Sequence, residues 1–416
     1  MKRSPLKAIS EFSDSVIQSA SSSRNRLWRR VPLTVVVVTL LWAIPVPVAQ
    51  AQTFTSLYNF AGPPDGAEPY AALIQDEAGN LYGTTYMGGY LSCKDPYHLY
   101  GCGLVFEVNA AGVETVLHRF SGGTKDGEFP EAPLLRDRYG NLYGTATAGG
   151  TGNCYFAGTS GCGVVFEIDT AKKESVLYSF QGGTTDGCYP AQGLVMDKVG
   201  NLYGTTGGCG TANYGTVFKV NKHGQEVLLH SFTGIDDSYP YYGHLLIDAW
   251  GDLYGLTSGE ADHHEAGGTL YKLTNKGKLT TLHSFTGSSG DGCYPSGTLA
   301  QDKSGSFYGT TTECGAWNVG TVWKVDKTGA ETILHSFSHW GGGYPQAGVV
   351  LDSKGNMFGV AGTLWELRKN DNFIVLHSFM QQVTEAAEVL RDLKGGLYGT
   401  TIDGGNYGYG SVWSYK

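Results

Sequence analysis

Tyr82-Gly83-Thr84-Thr85 returns six more times in recognisable form, beginning at Tyr143, Tyr203, Tyr254, Tyr308, Phe358 and Tyr398. The copies stand 61, 60, 51, 54, 50 and 40 residues apart, a period that belongs to propeller blades. Around each copy four short strand signals follow in fixed order, shown by residues 193–197, 201–206, 215–220 and 226–232, here strands a, b, c and d. An Asp-x-x-Gly turn joins a to b, as in Asp197-Lys198-Val199-Gly200, and Asn221 to Gly224 joins c to d. The 62 glycines and 26 tyrosines fit strands joined by tight turns, and no long helix-forming run competes. The predicted class is all-β: a seven-bladed β-propeller of four-stranded antiparallel blades.

The count of strands predicts how the ring closes. Strand c of the last unit, residues 411–415, has no d after it, while an orphan d-type strand, residues 55–60, precedes the first a. Pairing the two completes the seventh blade and removes an exposed sheet edge. A solenoid of the same units would need caps at both ends.

Residues 1–51 differ from the remainder. Arg24, Arg26, Arg29 and Arg30 form a basic segment, Val31 to Val48 an apolar one, and Ala49-Gln50-Ala51 a cleavage signal, so residues 1–51 read as a signal peptide and 52–416 as one propeller domain. An uncleaved anchor is the competing reading, although Pro45 and Pro47 interrupt a stretch at the lower limit of a bilayer span. Removing residues 1–51 leaves 22 basic against 36 acidic groups, a formal charge of −14. No basic stripe remains, which disfavours nucleic acid as a partner.

The run Asp-x-x-Gly-Asn-Leu-Tyr-Gly-Thr-Thr, followed by Gly-Gly, Gly-Thr-Val-Phe-Lys-Val, Leu-His-Ser-Phe and Asp-Gly-x-Tyr-Pro, resembles the bacterial GloVer tandem repeat over nearly all of residues 54–416. That resemblance implies an exported repeat protein of the kind described as choice-of-anchor, with no biochemical activity attached. The chain departs from the anchored pattern by stopping at Lys416, straight after strand c, so a C-terminal anchor is not expected. The units are more distantly similar to regulator-propeller and kelch repeats.

All eight cysteines fall after residue 51. Cys93 with Cys102 and Cys154 with Cys162 lie within single b–c loops. Cys188 and Cys293 lie in d–a loops, 21 residues before Cys209 and Cys314 in the following b–c loops. These loops share one face of a propeller, so four local disulfides are favoured over a zinc site, for which a CxxC pair is missing.

The same face gathers the candidate ligand-binding residues. Asp126, Asp186, Asp237 and Asp291 precede Phe129-Pro130, Tyr189-Pro190, Tyr239-Pro240 and Tyr294-Pro295, with Asp65 and Pro69 a weaker fifth copy. Strand a being innermost, these loops are expected to descend towards the channel mouth as a partial ring of carboxylates and aromatics, able to hold a cation or stack on sugars. The bland alternative is a turn-starting Asp-Gly followed by a Tyr-Pro that fixes the start of strand a. The seven a–b turn carboxylates, Asp76 to Asp392, read as turn acceptors. Five strand-d histidines, His118, His230, His283, His335 and His377, sit on different blades and read as packing. Asp262-His263-His264-Glu265 is a weaker metal candidate, because adjacent residues rarely ligate one ion well.

No enzyme motif is found. The leading expectation is a secreted or periplasmic, noncatalytic binding scaffold, monomeric and without a cofactor, whose partner is a glycan or an envelope protein. The alternative is a hydrolase or lyase acting on polysaccharide or peptide at the channel mouth.

Overall fold

A computed structural model of the protein describes residues 52–93, 101–156, 158–234, 239–240, 243–259, 267–288, 290–339, 342–379 and 388–416. Seven antiparallel sheets stand in a ring, the expected seven-bladed propeller, and no α-helix occurs among the described residues. Blade 3 runs Val195–Met196, Leu202–Thr206, Thr216–Val220 and Glu226–Ser231, its strands adjacent in chain order. Strand a keeps only two paired residues here, fewer than residues 193–197 would give. The residues ahead of it bond instead to the preceding blade, where the first Thr of the tetrad donates its hydroxyl across the gap. Thr145 reaches the Gln192 carbonyl at 3.2 Å and Thr205 the Pro240 carbonyl at 3.1 Å.

Ring closure follows the strand count. Phe54–Asn59 pairs antiparallel with Ser411–Tyr415, Phe54 opposite Tyr415, and Thr53 and Lys416 exchange backbone hydrogen bonds beyond them. A bulge falls between the second and third residues of strand c in this pair, as it does in blade 3 between Val217 and Phe218. The N-terminal segment is therefore the seventh strand d in register as well as in position.

Each residue of the tetrad has a packing task. The Tyr hydroxyl donates to the a–b turn Asp, as Tyr203 does to Asp197 at 3.0 Å. The Gly lies against the strand-c aromatic, where a Cβ on Gly204 would overlap the Phe218 ring and one on Gly309 the Trp323 ring. That same aromatic receives the last Phe of the preceding blade edge-on. Phe120 meets Phe166 at 5.1 Å and Phe180 meets Phe218 at 4.9 Å, all four side chains fully buried. Such pairs contribute roughly 0.5–1.5 kcal/mol each beyond their buried area. They are the mortar between blades.

Candidate functional site

On one face the d–a and b–c loops pair into short ribbons. Gly187 lies opposite Cys209 and Cys188 opposite Gly208, and Gly127–Glu128 pairs with Ala148–Gly149 in the same way. The four expected disulfides are present: Cys93–Cys102, Cys154–Cys162, Cys188–Cys209 and Cys293–Cys314. No cysteine is free. In the chain-entropy account each bridge contributes about 3 kcal/mol, enough to hold its loop to its blade.

Among the described residues, Asp126, Asp186 and Asp291 do not turn towards the channel mouth, which corrects their sequence-based placement. Asp126 accepts from the Ser121 amide at 2.8 Å, the Ser121 hydroxyl at 2.9 Å and the Gly127 amide at 2.7 Å, with His118 Nε2 3.3 Å away. Asp186 accepts from Tyr178 at 2.9 Å, Gln181 at 2.6 Å and Gly187 at 2.7 Å. Asp291 accepts from the amide and hydroxyl of Thr286 at 2.7 and 2.8 Å. His118 and Tyr178 belong to the outermost strands, so the carboxylates turn outwards to the seams between blades. The inward course of strand a does not carry the preceding loop with it, because Asp closes a turn on strand d first. Burial pushes the Asp126 carboxyl up, and the bonds from His118 and Ser121 outweigh it, leaving it below its ordinary value.

The residue before each Pro takes a left-handed conformation, with φ of 60° at Phe129, 61° at Tyr189, 54° at Tyr239 and 57° at Tyr294. Its amide donates to the preceding blade's b–c loop, Tyr189 to the Cys162 carbonyl at 2.9 Å and Tyr294 to the Gly267 carbonyl at 2.7 Å. Phe129 is fully buried, and the Tyr189 hydroxyl donates to the Tyr155 carbonyl at 3.1 Å. These residues link blades. Asp237 and Asp262, His263, His264 and Glu265 lie outside the described residues.

Two sets, His118 with Asp126 and Glu174, and His283 with Asp291 and Glu331, bring three donor atoms within 4.8 Å. The same position on strand d is Tyr58 or Tyr178 in the equivalent seams, each donating to its loop Asp at 2.9 Å. The place is therefore filled by phenol as well as imidazole, and in the His118 seam, as in the two Tyr seams, it serves a hydrogen bond to the loop Asp. His335 and His377 instead stack flat on Phe373 and Phe54, with ring centres 4.0 and 3.9 Å apart.

The channel holds a constellation that sequence reasoning missed. Four residues before each turn Asp stand Ala72, Pro133, Gly193, His244, Thr298, Gly348 and Glu388. Glu388 of blade 7 reaches Thr298 of blade 5, accepting from its amide and hydroxyl, and accepts from the Gly348 amide at 3.3 Å. His244 Nδ1 of blade 4 lies 3.2 Å from the Thr298 hydroxyl and 3.9 Å from Glu388. Polar side chains from three blades, and a backbone amide from a fourth, thus meet across the channel. The available signal was that this column is small or Pro in four units and polar in three.

A family described as the Gloeobacter/Verrucomicrobia repeat matches residues 152–362. The chain belongs to the Gloeobacter/Verrucomicrobia repeat family. No curated protein matches it. Among solved structures it is similar to a gluconolactonase from Xanthomonas campestris, at 15% identity over 76% of this chain and 89% of that one, with a TM-score of 0.44. A puromycin-hydrolysing peptidase from Mycobacterium tuberculosis is similar at 12% identity over 85% and 53%, with a TM-score of 0.49. A luciferin-regenerating enzyme follows at 13% over 71% and 92%, with a TM-score of 0.43.

The tetrad of the Gloeobacter/Verrucomicrobia repeat is spent on packing, and what varies between its copies is the loop face. Eight aromatic side chains among the described residues are exposed. Six of them, Tyr70, Tyr90, Tyr155, Trp317, Tyr344 and Tyr407, belong to d–a or b–c loops, and only Tyr139 and Trp250 lie on the a–b turns of the opposite face. Tyr155 and Trp317 are 74% and 62% exposed, more open than the described Tyr residues of the Tyr-Pro pairs, Tyr344 at 51% included. No helix among the described residues is long and apolar enough to cross a membrane.

Proposed function

We propose that the protein is an exported, noncatalytic scaffold that binds a glycan or an envelope protein with its loop face. One observation carries this reading: the exposed aromatic side chains concentrate on the face that carries the four disulfides, with Tyr90, Tyr155 and Trp317 on bridged loops. Aromatic faces lose water readily and stack on sugar rings, and a braced loop gives up little entropy on binding. The leader-like residues 24–51 and the complete pairing of the cysteines support export to an oxidising compartment. The d–a carboxylates are engaged by backbone donors, which supports a noncatalytic role for them. The ring is taken to act as a monomer without a cofactor. A glycan array together with pull-downs from the native envelope tests the reading: a retained partner is expected, and blanks in both overturn it.

A second reading, a hydrolase or lyase working at the channel, is favoured by the convergence of Glu388, Thr298 and His244. It requires an activity on polysaccharide or peptide that both Glu388→Gln and His244→Ala abolish in folded protein.

A further inference from the structure

At four of the seven seams two carboxyl groups from neighbouring blades face each other. A d–a loop Asp is matched with the first residue of the next blade's strand d, which is a Glu: oxygens of Asp126 and Glu174, and of Asp291 and Glu331, lie within 4.8 Å of each other, and Asp65 with Glu114 and Asp186 with Glu226 occupy the same two positions of the repeat. In every pair the Glu Oε1 is buried and has no hydrogen-bond partner. The Asp oxygens already accept from loop amides and, in two of the seams, from Tyr58 or Tyr178. Positive charge is scarce at these seams. Arg119 acts on Glu114 and His118 on Glu174, no cation among the described residues acts on Glu226, and at the last seam His283 Nε2 is 3.7 Å from Glu331. His283 Nδ1 faces the Gly329 carbonyl at 3.3 Å. Where the loop Asp is missing from the sequence the Glu is missing too, and Phe373 and Phe54 take its place against His335 and His377. At the remaining seam Leu279 opens the strand d, and Asp237 of that loop lies outside the described residues.

We propose that these four seams are proton-sharing latches: one proton held between Asp and Glu joins two blades, so the ring is tightest in mildly acidic surroundings and slackens as the protons leave. Two buried carboxylates in contact repel, whereas an acid and a carboxylate form a strong hydrogen bond. Burial, then the facing Asp, pushes Glu114, Glu174 and Glu226 up to about 7 and Glu331 up to about 8. The folded values lie above those of free carboxyls. The stabilisation is therefore fully present below the ordinary Glu range and lost as pH rises through 7 to 8.

The test is the thermal midpoint of the intact protein from pH 5 to 9, beside a variant carrying Glu114→Gln, Glu174→Gln, Glu226→Gln and Glu331→Gln. Gln offers the Asp a donor that does not titrate. The parent midpoint should fall across this window, and the variant should lose at least half of that fall. An equal fall in the variant, or a parent midpoint that rises with pH, overturns the proposal. Should the fourfold variant not fold, Glu226→Gln and Glu331→Gln alone must each flatten the profile. In addition, the infrared band of protonated carboxyl groups must persist in the parent at pH 6; its absence there also overturns the proposal.

Discussion

Gly204 and Gly200 stand four residues apart and serve different ends. Gly204 makes room for Phe218, and an added methyl there would overpack a sealed seam at a cost of about 1–3 kcal/mol. Gly200 holds the turn at φ 91° with no atom within 4 Å of a new Cβ, so Ala would meet only backbone strain of about 1–2 kcal/mol. Urea unfolding should rank Gly204→Ala as the more damaging; the reverse order would contradict the packing role. Asp197 accepts from Val199 and Asn201 amides and from the Asn201 and Tyr203 side chains. Burial raises its carboxyl, and these four bonds more than reverse that, holding it below its ordinary value. Its contribution is present above the ordinary Asp range and lost as pH falls through the lowered value. Asp197→Asn, which sets an amide against two donors, should cost about 1–3 kcal/mol at pH 6 and progressively less in strong acid, as denaturant midpoints would reveal. This role was legible because every partner lies within six residues of the Asp. That of Asp186 was not, since Tyr178 precedes it on strand d and Glu226 belongs to the next blade.

Strands b, c and d were readable almost to the residue, because their apolar pattern reflects burial within one sheet. Strand a was overdrawn, because its first residues bond to a Thr on another blade and sequence spacing does not register that. The cysteine pairs were readable for a geometric reason: loops that leave the same end of a blade must meet, whatever their length. Replacing Cys188 and Cys209 by Ser should lower stability by about 3 kcal/mol, and reduction of the parent should reproduce part of that shift. An unchanged urea midpoint in the double variant would show that the paired ribbon holds the loop without its bridge. The wedge between blades offers a harsher test. Phe232 is fully buried and meets Tyr271 at 5.5 Å, so Phe232→Ala should cost about 3–5 kcal/mol.

Closure turns seven marginal sheets into one body. Without residues 52–60, strand c of the seventh blade would present Ser411–Tyr415 as a bare edge. A chain truncated there should aggregate or unfold in a broad transition. The channel contacts were beyond sequence reading, since Glu388, Thr298 and His244 meet only once the ring superposes positions more than fifty residues apart. The ring therefore commits its regular residues to its own packing and varies its loops. The most direct measurement compares binding of the partner retained in the array or pull-down by two variants. Tyr155→Ala with Trp317→Ala and Tyr344→Ala strips the loop face, and Tyr139→Ala with Trp250→Ala strips the turn face. The account predicts at least a tenfold loss of affinity, about 1.4 kcal/mol, in the first and none in the second. Unchanged binding in the loop-face variant, or equal losses in both, would contradict it.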